Sequence, residues 1–182
     1  HKISDRIIAT SKAIEEIVGE YENFGSKDTE VLPIELREIV DAVAKSVFDG
    51  RGADVHLEVG STKALARANR TIVRQIVSNL FVNAQEAMQS QKREKRVRAE
   101  IVTDAQEGRV EVHITDNGEG IAADQLRSIF ERGFSTRRNK KGGLGLHWCA
   151  NAAKAMGGSL HAISNGPGTG ATLVLSLPSL AA

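Results

Sequence analysis

Three groups of residues have types and spacings that could do chemistry. The first is Asp116-Asn-Gly118-Glu-Gly120, a carboxylate followed by two glycines. A carboxylate at the end of a strand can accept the amino group of a base, and glycines let backbone come close to a ligand. The second is Gly142-Gly143-Leu144-Gly145-Leu146, where glycines open a helical pattern. Backbone N–H groups exposed at a helix start attract an anion, reinforced by the helix dipole. The third is Asn79 and Asn83, four residues apart and so on one helical face. An unpaired buried amide costs ~1–3 kcal/mol, so both need partners. Each group also has a plainer reading: turn chemistry for Asp-Asn-Gly, a hinge before a core helix, and loop-capping amides. No group decides the matter alone.

The elements that must carry these groups can be read from the apolar periodicity. Ile72, Ile76, Leu80, Ala84 and Ala87–Met88 recur at helical steps, widened by Val73 and Val77, and Asn69 is a suitable N-cap. This predicts a buried helix from Asn69 to about Gln91 with the two asparagines beside its apolar stripe. Val97–Thr103 and Arg109–Thr115 read as a hairpin, and the alternation of Val110, Val112 and Ile114 brings Asp116 to the same face. Upstream, Glu30–Ile34 is a short edge strand because it contains Pro33. Glu35–Phe48 is a helix, and Asp54–Val59 and Lys63–Arg67 are strands. After the glycines a helix runs to Met156, and Ser159–Ser164 with Ala171–Leu177 makes a closing hairpin. The basic run Lys92, Arg93, Lys95, Arg96 and Arg98 reads as a solvated helix end and strand start.

At 182 residues the chain holds one domain and an appendage. Residues 1–28 form the appendage and residues 29–182 the domain. Ile7, Ile14 and Tyr21 against Ile3, Thr10, Ile17 and Phe24 give a heptad pattern that needs a second helix or a second copy. Net charge is +1, and the basic run lacks interleaved aromatics, so nucleic-acid binding is not expected. The single cysteine, Cys149, excludes a disulfide framework and suits a reducing compartment, with a packing role on its helix. A cytoplasmic location is expected, whether or not the parent protein is anchored in a membrane. Absence of an initiator Met makes the chain read as a fragment. The five histidines lack ligand spacing, and His113 falls on the outward face of its strand.

Taken in order, these pieces resemble the catalytic, ATP-binding domain of bacterial sensor histidine kinases. That domain belongs to the GHKL superfamily shared with gyrase and mismatch-repair ATPases. Asn79-Leu-Phe-Val-Asn83-Ala looks like the asparagine box, and Asp116-Asn-Gly118-Glu-Gly120 like the first glycine box. Phe130-Glu-Arg-Gly-Phe-Ser-Thr136 is similar to the phenylalanine box. Gly143-Leu-Gly-Leu146 with Gly157-Gly158-Ser-Leu160 resembles the second glycine box, and Gly168-Thr-Gly-Ala-Thr172 the closing threonine motif.

The resemblance implies an α+β fold, a two-layer α/β sandwich of a mixed sheet covered by helices, preceded by the amphipathic helix. It implies ATP and Mg²⁺ as cofactors and a protein histidine kinase activity. Asn83 would ligate Mg²⁺, with Asn79 beside the phosphates as the other catalytic amide. Asp116 would take the adenine amino group, with Gly118 and Gly120 close by and Thr172 near it through water. Gly143, Leu144, Gly145 and Leu146 would offer backbone donors to the phosphates. Ser135, Thr136, Arg137 and Lys141 would belong to a lid running to Lys141, with Arg138 and Lys140. Within residues 1–28, the N-terminal helix resembles the second helix of the dimerisation hairpin, implying a homodimer, and Gly25-Ser26-Lys27-Asp28 reads as a linker. The phosphoacceptor histidine would then lie on a helix absent from this chain, since His1 lacks acidic and proline neighbours. The phosphoryl group would pass on to a response regulator receiver domain.

Two positions depart from the family pattern. Glu86 stands where many histidine kinases carry Lys or Arg, and Asn69 replaces a common Asp. Glu86 leans towards a hydrolytic relative, but Asn79 stands where such enzymes place a glutamate base, and an amide cannot take that proton. A protein-serine kinase and a degenerate dimerising scaffold are the remaining alternatives.

Overall fold

The computed structural model describes residues 30–48, 64–134 and 144–180, together with the backbone of 55–59. The amphipathic helix expected over residues 1 to about 25, and the linker that follows it to Asp28, lie outside the described residues. The elements run β1 (Leu32–Glu35), α1 (Leu36–Phe48), β2 (Val55–Val59), β3 (Leu65–Ala68), α2 (Arg70–Ala87), β4 (Lys95–Asp104), β5 (Arg109–Asp116), α3 (Gly145–Ala155), β6 (Ser159–Ile163) and β7 (Ala171–Pro178). A short 3-10 turn spans Ser128–Phe130.

Among the described residues there are two sheets. One is five-stranded, ordered β2-β4-β5-β7-β6, and the other pairs β1 with β3. Only β2–β4 is parallel; the other pairs are antiparallel, so the sheet is mixed as expected. Pro33 has no N–H to donate, and β1 accordingly pairs on β3 alone.

The core lies between the five-stranded sheet and the helices. Val97, Ala99 and Ile101 of β4, Val110, Val112 and Ile114 of β5, and Leu173, Leu175 and Leu177 of β7 supply one side. Leu36, Ile39, Val40 and Val43 of α1 face Val73, Ile76, Val77, Leu80 and Phe81 of α2, all at helical spacing. Phe48 and Phe81 meet edge to face at 5.7 Å, a favourable ring geometry. Cys149, Ala152 and Ala153 of α3 complete the layer with small side chains. This is the expected two-layer sandwich.

Helix boundaries follow local capping. Asn69 accepts from the Ile72 N–H through Oδ1 at 2.9 Å and starts α2 as expected. Glu35 serves α1 similarly, its Oε1 accepting from the N–H groups of Arg37 (3.2 Å) and Ala64 (3.1 Å). α2 stops at Ala87 rather than near Gln91, because the chain turns there to meet the loop after β5.

Candidate functional site

Alternation along β5 sends Asp116 to the helix side with Val110, Val112 and Ile114, and leaves it 7% exposed. Its Oδ1 accepts from the Gly118 N–H at 2.7 Å, and the Ala171 backbone, its partner across β5–β7, supplies another bond. Burial pushes the carboxyl up to about 6. The two backbone donors work against that, and the Glu119 charge adds a smaller push upward. A buried carboxylate held by backbone alone has capacity to receive a donor from a ligand.

Glycine backbone closes on this carboxylate from two directions. A Cβ on Gly118 would lie 2.5 Å from the Ala87 carbonyl oxygen, so the loop can rest on the end of α2 only without a side chain. A Cβ on Gly170, at φ +77°, would lie 2.1 Å from the Asp116 carbonyl oxygen. Gly120 sits against the turn at Gly166, and the Glu119 N–H donates to Ala87 O at 3.0 Å.

Asn79, Asn83 and Ala87 follow one another at four-residue steps along one face of α2, covering about 12 Å of helix. The stripe therefore leads from Asp116's loop at Ala87 to α3, where the Asn79 Nδ2 donates to Cys149 Sγ at 3.4 Å. Asn83 is half-buried between them. Cys149 is fully buried, and burial pushes its thiol up to about 12, so it stays neutral. Its role thus goes beyond packing, since it holds Asn79.

α3 begins at Gly145 with Leu144 as N-cap, no side-chain cap bond and no acidic residue in the first turn. Its first N–H groups lack intrahelical partners and suit an anion. His147 in that turn bonds the Phe130 carbonyl through Nδ1 at 3.0 Å, tying α3 to the turn in which Ile129 is buried. Phe130 and Phe134 pack against the core as the anchors expected there. Gly143 and the lid residues Ser135, Thr136, Arg137 and Lys141 lie outside the described residues.

One expectation is corrected. Thr172 pairs in register with Thr115, and their hydroxyls share a hydrogen bond of 2.9 Å on the face of the sheet opposite Asp116. Strand alternation puts Ala171, not Thr172, beside the carboxylate. His113 is on that outer face as expected, bonded to Glu111 at 2.8 Å.

Several residues of the site were not legible beforehand. The Asn117 amide staples its loop to β4, accepting from Arg96 N–H (3.0 Å) and Gln91 Nε2 (3.1 Å) and donating to the Glu94 carbonyl (2.8 Å). Arg93, exposed as expected, also reaches backbone carbonyls of two loops. The Asn in Asp-Asn-Gly was the only available signal, as its amide commonly bonds nearby backbone.

Among the described residues no group of three or more His, Cys, Asp or Glu side chains could hold a metal. A hard cation would have amide oxygen from α2 and whatever oxygens its ligand brings, a donor set that suits Mg²⁺. No described helix is long and apolar enough to cross a membrane.

The family described as histidine kinase-, DNA gyrase B-, and HSP90-like ATPase matches residues 68–181. Two-component sensor PprA of Pseudomonas aeruginosa is 36% identical over 69% of this chain and 14% of its own length. Sensor protein FixL of Bradyrhizobium diazoefficiens is 38% identical over 63% of this chain and 22% of its length. Sensor histidine kinase ZraS of Klebsiella oxytoca is 32% identical over 80% and 31%. The chain thus spans less than a third of these curated relatives. Among solved structures, the mycobacterial sensor histidine kinase MprB superposes with TM-score 0.71 at 26% identity, covering 82% of this chain and 97% of that one. Full-length ShkA in complex with AMPPNP gives TM-score 0.70 at 25% identity, covering 87% and 33%.

Proposed function

The chain belongs to the histidine kinase-, DNA gyrase B-, and HSP90-like ATPase family, as the ATP-binding catalytic domain of a sensor histidine kinase, and we propose that it transfers the terminal phosphoryl group of ATP to a histidine of its parent protein. The single observation that carries this reading is the buried Asp116 enclosed by glycine backbone, joined by the Asn79–Asn83 stripe to the open N-terminus of α3.

In this reading Asp116 accepts from the adenine amine, and Gly118 and Gly120 let the ring lie close to backbone. Leu144, Gly145 and Leu146, with Gly143, donate N–H groups to phosphate oxygens. Asn83 offers its amide oxygen to Mg²⁺, which when bound neutralises phosphate charge. Asn79, its orientation fixed by Cys149, lies beside the phosphates without acting as a base. Ser135, Thr136, Arg137 and Lys141 cover them as a lid. The chain's own contribution is positioning and electrostatics, which is most of what phosphoryl transfer asks of a protein. The parent protein dimerises through the N-terminal helix, and the phosphoryl group moves on to a response regulator receiver domain.

The test supplies the acceptor. This chain, given ATP labelled at the γ position, is mixed with a longer form of the parent protein carrying the upstream helix and a disabled ATP site. Label that is acid-labile and alkali-stable, and that disappears with Asn83→Ala in this chain, is expected. Acid-stable label would make the protein a hydroxyl kinase, and no label on the acceptor would overturn the transfer.

A further inference from the structure

We propose that Arg93 is a positioning and specificity-determining residue, a clamp that holds the two glycine loops on either side of Asp116 at the spacing a base requires. It rests on the nucleotide reading of the same site. Arg93 lies between α2 and β4, and one end of its guanidinium donates to the carbonyls of Asn117, Gly118 (3.3 Å) and Gly168 (3.1 Å). Its Nε reaches Gln91 Oε1 at 3.4 Å, and Gln91 in turn donates to the Asn117 side chain. One side chain thus ties the loop after β5 to the loop before β7.

Both loops form walls around Asp116. Gly118 donates its N–H to the carboxylate, and Gly170 is packed against the Asp116 carbonyl. The second loop is intrinsically loose, with Gly166, Gly168 and Gly170 at φ +114°, +83° and +77°. Glycines of this kind lose more conformational freedom on ordering than any other residue, so the loop needs external ties. Besides Arg93 it has the bond from Gly168 N–H to Glu119 O at 2.6 Å and those made by Ser164. The bonds of Arg93 go to Gln91 and to loop carbonyls and not to the Asp116 carboxylate, so it acts through the walls. A planar guanidinium can serve several carbonyls at once, whereas an ammonium offers a compact point charge.

The experiment compares the parent chain with Arg93→Ala and Arg93→Lys. Amide exchange is followed at 117–120 and 166–170, and ATP and GTP affinities are measured by calorimetry. In Arg93→Ala the Gly168 amide should exchange roughly tenfold faster, about one charge-assisted hydrogen bond's worth. ATP affinity should fall by about the same factor and GTP affinity by much less, so that discrimination drops while Tm moves only a few degrees. Arg93→Lys should recover part of both effects, and it provides a folded comparison if the alanine variant does not fold. Faster exchange with unchanged discrimination would overturn the specificity role. Unchanged exchange and unchanged discrimination would overturn the clamp itself. A parent chain that binds neither nucleotide would instead overturn the nucleotide reading, whatever the exchange data show about the loops.

Discussion

The side-chain nitrogen of Asn79 points at the sulfur of Cys149, 3.4 Å away across the contact between α2 and α3. In that bond the Asn79 amide turns its nitrogen to the helix contact and its oxygen to the other side. Burial pushes the Cys149 thiol up to about 12 against a smaller lowering by the Asn79 bond, so it stays neutral at physiological pH. A thiol in this state is a poor nucleophile. Ellman's reagent should therefore fail to modify Cys149 in the native chain and titrate one thiol after unfolding. Rapid modification of the native chain would mean that the α2–α3 contact opens.

Asn83 should matter for ligand and little for fold. It is half-buried and outside the apolar core of α2. Replacing it with alanine removes a mediocre helix former, so the apo Tm should stay within a few degrees or rise. Mg²⁺-dependent stabilisation by ATP should vanish. A ligand-induced thermal shift equal to that of the parent chain would remove Asn83 from the site.

Asp116 should lower the stability of the apo domain at neutral pH. Its carboxyl sits near 6 against an ordinary 3.8. Between those values the folded state binds a proton that the unfolded chain releases. Stability from this group is therefore greatest below pH 4, declines as pH rises to about 6, and stays reduced above. Asp116→Asn does not titrate, so it should be the more stable protein at pH 7.5, by at most about 3 kcal/mol, with the gap closing towards pH 4. It should also weaken the preference for ATP over GTP, because the asparagine amide keeps one acceptor oxygen but adds an NH2 donor that suits the carbonyl of guanine. Urea unfolding at several pH values and nucleotide titrations measure the two effects. A variant less stable than the parent at every pH would show that the backbone donors outweigh burial.

Much of this geometry was legible in the sequence because it depends on local periodicity. The alternation Val110, Val112, Ile114 fixes the face of Asp116, and the spacing of Asn79 and Asn83 fixes theirs. Asn69 was readable as a cap from its residue type and place alone. What failed was any inference that needs register between distant strands. Whether Thr172 or Ala171 faces Asp116 depends on how β7 pairs with β5, and a slip of one residue inverts the answer. Arg93 was opaque for a related reason. Its carbonyl partners at Asn117 and Gly168 are 24 and 75 residues away, and a surface arginine in a basic run carries no mark of them.

Two glycines of the site should respond oppositely to alanine. At Gly118 the new Cβ would press on the Ala87 backbone at 2.5 Å, where nothing flexible can yield. Gly118→Ala should cost about 2 kcal/mol or more and loosen the loop around Asp116. At Gly145 a Cβ meets nothing within 4 Å and the residue is helical, so Gly145→Ala should be neutral or stabilising by up to ~1 kcal/mol. Chemical denaturation of both variants checks the contrast, and similar losses in the two would contradict the packing described here.

Without an acceptor, this chain should bind ATP and do little else with it. Asn79 has an amide where a hydrolytic relative needs a carboxylate base, and its nitrogen is already engaged by Cys149. None of the described histidines is a ready internal nucleophile. His113 and His161 share the outer face of the sheet with Val174, opposite Asp116, and His113 is bonded to Glu111. His147 uses one ring nitrogen on the Phe130 carbonyl and the other on Asn151. Positioned phosphates without an in-line acceptor or an activated water gain little rate. The chain alone should therefore bind ATP yet release phosphate far below ~1 s⁻¹, the lower end of ordinary enzyme rates, and should not label itself. Supplying the upstream helix should raise the rate of ATP consumption by at least tenfold, with the label on that helix. Phosphate release at ordinary enzyme rates from the chain alone, unaffected by Asn79→Ala, would reject phosphotransfer in favour of hydrolysis, since water would then be activated by a group other than the amides of α2.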